Sequence, residues 1–203
     1  MLRALAVLLL AVSVWAAQPV RARHGMVVTR EPHATSAGLE VLKSGGNAID
    51  AAVAVGFVLA VTHPSAGNIG GGGFMLIRFA GGGATFLDFR ERAPMAASRN
   101  MYIDPATGKA TQDSVLGYRA AGVPGTVRGL EYASRKYGRK PWAALVHPAV
   151  ALAANGFPVS WAQARSFRAS RDLARFPESQ RIFLNGGKFY EPGDLLVQSD
   201  LAR

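Results

Sequence analysis

Four charged residues crowd together in Asp88-Phe89-Arg90-Glu91-Arg92, at the end of an apolar run over residues 84–89. Side chains at the end of a strand sit where loops carry function on a rigid support. An arginine there suits a carboxylate ligand, because the guanidinium is a planar fork of donors that stays charged at any relevant pH. A solvated turn closed by local ion pairs accounts for the same residues, and such pairs are commoner than active-site arginines. Residue types alone leave both readings of Arg90 open.

Spacing dismisses the other candidates. Residues 67–73 read Gly-Asn-Ile-Gly-Gly-Gly-Gly, but they contain no G-x-G-x-x-G register and no Gly-Lys-Ser/Thr. The run after them has strand character, so no helix N-terminus points at a phosphate. A closely packed or flexible backbone loop is the simpler reading. His24, His33, His63 and His147 form no i,i+4 pair and have no carboxylates at metal-ligand spacing, so no metal site and no cofactor are expected. Ala34-Thr35-Ser36-Ala37-Gly38 approaches a nucleophile elbow but lacks its first glycine and lies in a helical pattern.

The elements that must position these residues follow from periodicity. Residues 25–29 form a short β-branched run that predicts a first strand. A helix is expected over residues 35–42, stopped by Gly45-Gly46, and Asn47 offers the cap of a second over residues 48–61. In that second helix only Asp50 is charged and apolar residues cover every face, which predicts burial on all sides. Residues 74–79 and 84–89 predict a β-hairpin across Ala80-Gly81-Gly82-Gly83. Residues 90–122 read as mostly irregular, followed by helices over 126–137, 141–155 and 160–175. The last would line Arg165, Arg168, Arg171 and Arg175 along one solvated face.

The 203 residues are 49% hydrophobic, enough for one domain with an ordinary core and too apolar for a disordered chain. The 23 Lys and Arg against 13 Asp and Glu give a net charge of +10. They are scattered, with no basic run and no nucleic-acid-binding motif, so a nucleic-acid partner is not expected. Arg3, the apolar residues 4–14 and Val14-Trp15-Ala16 follow the pattern of a secretory signal peptide spanning residues 1–16. The apolar run is shorter than the roughly 20 residues a membrane span needs, and no span is expected after cleavage. With no cysteine, export brings no disulfide framework. A bacterial periplasmic or secreted location is expected.

Longer stretches carry a family likeness. Gly45-Gly46-Asn47-Ala48-Ile49-Asp50-Ala51-Ala52-Val53-Ala54, Thr62-His63-Pro64, Gly67 to Phe74, Asp88-Phe89-Arg90-Glu91 and Ala93-Pro94 resemble, in order and spacing, the gamma-glutamyltransferase family. Gly122-Val123-Pro124-Gly125-Thr126-Val127 and Asn155-Gly156-Phe157 extend the resemblance over residues 24–203. It implies an α/β fold, the N-terminal portion of the αββα sandwich of N-terminal nucleophile hydrolases, with residues 17–203 belonging to the large subunit of a self-cleaving precursor. It implies a γ-glutamyl donor such as glutathione, and a downstream small subunit of the same precursor as partner. The family nucleophile is a threonine freed at a new N-terminus in a Thr-Thr-His motif. No threonine of this chain stands in that context, so no catalytic residue is assigned. The chain by itself is expected to be inactive. The arginine of the family's Asp-Phe-Arg-Glu motif, which binds the donor's α-carboxylate, matches Arg90. A related acylase of the same fold, acting on a side-chain amide as in glutaryl-cephalosporin, would share the glycine block. A non-catalytic exported binding protein is the reading from another class.

Export is open to direct measurement. The mature protein should begin near residue 17, as read by mass analysis of secreted material, and retention of Met1 in a cytoplasmic product would contradict the signal-peptide reading.

Overall fold

The computed structural model describes residues 19–203; the signal peptide expected at residues 1–16 lies outside the described residues. Its centre is the apolar helix foreseen after Asn47. The first helix, α1 (Pro32–Lys43), is capped by Glu31, whose carboxylate accepts the Ala34 N–H at 2.9 Å. Its C-terminus closes through Gly45 and Gly46, whose N–H groups donate to the carbonyls of Leu42 and Val41. Gly45 takes φ +89°, the left-handed conformation that glycine reaches without penalty. The chain then reverses into α2 (Ala48–Thr62), where Val53, Ala54 and Val58 are inaccessible to solvent. Small residues let the helices approach. A Cβ on Gly38 of α1 would stand 2.8 Å from Val55 Cγ2, and one on Gly56 would stand 3.1 Å from Leu130 Cδ1 of α3 (Thr126–Tyr137).

Asp50 is completely buried, and its environment explains why a charge is tolerated there. Its carboxylate accepts the N–H groups of Asn47 at 2.8 Å, Arg139 at 3.0 and 3.1 Å, and Lys140 at 3.2 Å. Asn47 completes the clamp: Oδ1 accepts the N–H groups of Ile49 and Asp50, and Nδ2 donates to the Tyr137 carbonyl at 2.6 Å. A carboxylate at a helix N-terminus, saturated by backbone donors, is stabilised by both the helix dipole and charge-assisted hydrogen bonds. The beginning of α2 is thereby fixed to the end of α3 and to the turn that starts α4 (Trp142–Asn155). Helix α4 packs along α2 through Leu145, Ala149 and Ala153, and Trp142 meets Phe57 edge-on at 5.2 Å.

The hairpin forms as the sequence implies. Strands β1 (Phe74–Arg78) and β2 (Ala84–Asp88) pair antiparallel with Leu76 opposite Phe86, each one residue shorter than expected. Alternation sorts its faces: Ile77 is buried and Met75 packs on the helical core, while Phe74, Leu76 and Phe86 are exposed. Residues 90–122 are mostly irregular as foreseen, apart from two short 3-10 turns, Gln112–Ser114 and Tyr118–Ala120, and isolated antiparallel bridges at Arg92 and between Ile103 and Ala110. Beyond α4, a two-residue strand β3 (Phe157–Pro158) pairs with β4 (Leu195–Leu196), bringing α7 (Ser199–Ala202) onto α4.

Two expectations fail. Residues 25–29 are not a strand, because no other strand among the described residues lies beside them to complete a ladder; Val27 instead packs its methyl groups onto Gly38. The helix expected over 160–175 ends early as α5 (Trp161–Ala169), followed by a 3-10 turn at Leu173–Arg175 and α6 (Pro177–Phe183). The cause is visible in the spacing. Phe167 is buried, but the positions three and four residues on are Ser170 and Arg171, so a continued helix would press polar groups into the core. Breaking at Ser170 lets Leu173 pack instead. The four arginines therefore do not share one helix face: Arg165 and Arg168 lie on α5, where Arg168 pairs with Glu191, and Arg171 and Arg175 lie beyond the break, where Arg175 pairs with Asp172 at 3.0 Å.

Removing the central carboxylate leaves several backbone donors buried without acceptors. Asp50→Ala should lower the unfolding free energy by about 2–4 kcal/mol, read from denaturant midpoints. Asp50→Asn should cost less, because one acceptor oxygen remains.

Candidate functional site

Three backbone segments meet around Arg90: residues 67–73 from the glycine block, residues 88–92 leaving β2, and residues 122–129 leading into α3. Hydrogen bonds tie the segments pairwise. Phe89 N–H donates to the Gly73 carbonyl at 3.0 Å, extending the hairpin ladder by one step. Arg92 and Val123 exchange both N–H···O bonds at 3.1 and 2.8 Å in an isolated antiparallel bridge. The Gly71 carbonyl accepts the N–H groups of Gly125 at 2.8 Å and Thr126 at 3.1 Å, and Asn68 Oδ1 accepts the Thr126 hydroxyl at 2.6 Å and the Gly71 N–H at 3.0 Å.

The glycines are what permit this meeting. A Cβ on Gly72 would stand 2.7 Å from Arg90 Cα, and one on Gly122 would stand 2.9 Å from Glu91 Cβ. A Cβ on Gly125 would overlap the Phe89 carbonyl, and one on Gly129 would overlap the Phe89 ring. Glycines distant in sequence thus form one surface against residues 89–91. The glycine block has the close packing expected of it, and its backbone holds a neighbouring segment. Gly125 and Gly129 were not singled out from sequence as part of the site, although their four-residue spacing puts them on one side of α3 and signals a close approach.

Arg90 itself projects from this clamp. Its N–H donates to Asp88 Oδ1 at 3.0 Å, its guanidinium lies over the Phe74 ring at 5.6 Å, and its Nε is 3.6 Å from Glu91 Oε2. The side chain remains 64% exposed, so the contact with Glu91 is a loose, solvated pair that leaves the guanidinium able to engage a ligand. Arg90 borders two clefts. One, of about 440 Å³, lies between β2 and α3 and is lined by Phe86, Val123, Pro124 and Tyr132 among others. The other, of about 620 Å³, lies toward residues 93–102 and Gly122. Asp88, Arg90 and Arg92 line the smaller cleft together with Arg128 from α3, and Glu91 lines the larger one. Arg128 is already engaged with Glu131 at 2.8 Å, and hydrogen bonds from Arg135 and Arg128 hold the Glu131 carboxyl below its ordinary pKa. The four histidines do not converge: among the described residues no group of three or more His, Cys, Asp or Glu could hold a metal ion.

The hairpin on a helical layer, with its arginine at the strand end, is an N-terminal portion of the N-terminal nucleophile hydrolase fold. Residues 34–203 match the sequence model described as gamma-glutamyltranspeptidase, and the chain belongs to that family. It is 53% identical over 192 residues to a glutathione hydrolase proenzyme of Pseudomonas sp. strain A14, a match covering 91% of this chain and 32% of that protein. The crystal structure of Helicobacter pylori gamma-glutamyltranspeptidase superposes with a TM-score of 0.87 at 46% identity, covering 91% of this chain and 54% of that one. An acylase ACY 1 proenzyme of Pseudomonas sp. strain SE83 is 41% identical over 192 residues, with 91% of this chain and 34% of that protein covered. The chain thus spans about a third of the length of the curated relatives it matches.

The clamp predicts a contrast between two glycines. Gly129→Ala should lose about 1–3 kcal/mol of stability, because the Phe89 ring has to move. Gly81→Ala, where an added Cβ meets only open space, should stay within about 0.5 kcal/mol in the same unfolding experiment.

Proposed function

We propose that this chain is the N-terminal part of the large subunit of an exported γ-glutamyltransferase, a glutathione hydrolase, in which Arg90 holds the α-carboxylate of the γ-glutamyl donor. The observation that carries the reading is the clamp. Glycines on two segments fix the backbone at residues 89–91, while the Arg90 guanidinium, held only by a loose pair with Glu91 and by the Phe74 ring, stands exposed at the mouth of two clefts. A rigid base and an available planar fork of donors are what two-pronged recognition of a carboxylate requires.

The chemistry is that of a threonine supplied by the remainder of the precursor. Its hydroxyl passes a proton to its own α-amine and adds to the γ-carbonyl; the amide C–N bond then breaks and the departing amine takes that proton. Water or an acceptor amine opens the resulting ester and regenerates the threonine. Arg90 contributes by fixing the glutamyl end, so that the γ-carbonyl meets the nucleophile in a defined position. The signal expected at residues 1–16 supports a periplasmic or secreted enzyme, and no helix among the described residues is long and apolar enough to cross a membrane. The acylase likeness supports a second reading, cleavage of another side-chain amide, in which donors without an α-amino acid end would be preferred.

The test uses a complete enzyme, either the full-length precursor or residues 24–203 joined to the remainder of the Pseudomonas sp. strain A14 relative. Arg90→Ala should leave self-cleavage intact and lower kcat/KM for γ-glutamyl donors by the equivalent of about 1.5–3 kcal/mol, the worth of hydrogen bonds to a charged group. Arg90→Lys should recover only part, since a point charge cannot reproduce the two-pronged geometry. Equal losses on donors with and without the α-carboxylate would make Arg90 a structural residue.

A further inference from the structure

We infer that Arg92 binds a second carboxylate, that of the donor's leaving peptide, so that the site favours γ-glutamyl donors whose leaving group ends in a free carboxylate. The inference rests on the placement of the glutamyl end by Arg90.

Geometry supplies the first reason. Arg92 lies two residues beyond Arg90 on the segment that leaves β2, and its antiparallel bridge with Val123 keeps the backbone there strand-like. Alternate residues of such a segment share a side and sit roughly 7 Å apart along it. The clefts agree: Arg90 and Arg92 line both, whereas Glu91 lines only the larger and rests its side chain against Gly72 and Gly122. Two arginines so spaced, each with a long flexible stem, can hold the two ends of one small peptide.

Charge supplies the second reason. Three arginines line the cleft of about 440 Å³, and Asp88 is the one carboxylate among the lining residues. Asp88 already accepts the backbone N–H of Arg90, and Arg128 is paired with Glu131. Among the described residues the Arg92 guanidinium has neither an ion pair nor a hydrogen bond. The cleft therefore combines excess positive charge with one uncommitted fork of donors, the arrangement that recruits an anionic ligand.

Size and lining supply the third. A volume of about 440 Å³ is within the range of small-molecule sites. Phe86, Val123, Pro124 and Tyr132 offer apolar walls that suit a small side chain carried between two carboxylates. Since Arg92 is solvent-exposed, its contact should be worth much less than a buried pair, about two- to fivefold in specificity.

The experiment compares glutathione with its glycine ethyl ester, which differ only in that carboxylate, in the complete enzyme. The unmodified enzyme should prefer the free acid by about two- to fivefold in kcat/KM. Arg92→Gln should abolish the preference by lowering the rate on the acid alone, and Arg92→Lys should narrow it. An enzyme that treats acid and ester alike, or an Arg92→Gln variant that slows both equally, overturns the inference. Should Arg92→Gln fail to mature, Arg92→Lys decides, and an undiminished preference in that variant overturns it. Arg90→Gln serves to separate the two assignments. Equal loss on acid and ester there, with no acid-specific effect of Arg92 variants, would leave the Arg90 assignment standing and remove that of Arg92. No loss on either donor in Arg90→Gln would remove the reading on which both rest.

Discussion

The fold depends on a buried negative charge. Asp50 sits at the N-terminus of the most apolar helix, takes up N–H groups from Asn47, Arg139 and Lys140, and has no access to water. An isolated carboxylate in such a place would be expelled or neutralised. It is stable here because the chain brings the turn after α3 back to it, and that return fixes where α3 and α4 lie relative to α2. Gly138 belongs to the same constraint, since a Cβ there would stand 2.5 Å from Asp50 Oδ1. The carboxylate can be satisfied only if the segments that must satisfy it are correctly placed, so it specifies the arrangement as well as stabilising it.

From that anchor the geometry passes outward to the candidate site. Helix α3 is held at its C-terminal end by Asn47 and Asp50, and its N-terminal end carries Gly125 and Gly129 to Phe89. Leu130, between these ends, packs on Gly56 of α2. The position of Arg90 is consequently set by packing across three segments far apart in sequence. The side chain itself is left free, a separation of rigid backbone from available guanidinium that suits a ligand-binding residue.

Much of this was legible in the residues. The cap at Asn47, the all-round apolar α2, the hairpin with its glycine turn and the helices opening at Thr126 and after Pro141 each follow from a local pattern, and local patterns are what the chain can express without its partners. Residues 25–29 misled because a β-branched run predicts an extended backbone but not the neighbour that makes it a strand. Residues 160–175 misled because polar i+3 and i+4 spacing on the solvent side hid the polar pair that follows Phe167 on the buried side.

For the site, the sequence by itself determined the chemical types: a charged cluster at a strand end, within a stretch that resembles a family motif. It could not reveal which glycines serve that cluster, because Gly72, Gly122, Gly125 and Gly129 act on Phe89, Arg90 and Glu91 across long stretches of chain. Nor could it place Arg128 at the cluster. Its pair with Glu131 is a local i,i+3 contact within α3, but only the folded chain brings α3 against β2, so that Arg92 and Arg128 line one cleft and Arg92 is left without a partner among the described residues. Residue type fixes what a side chain can bind; what it is left free to bind depends on which neighbours the tertiary structure has already given it.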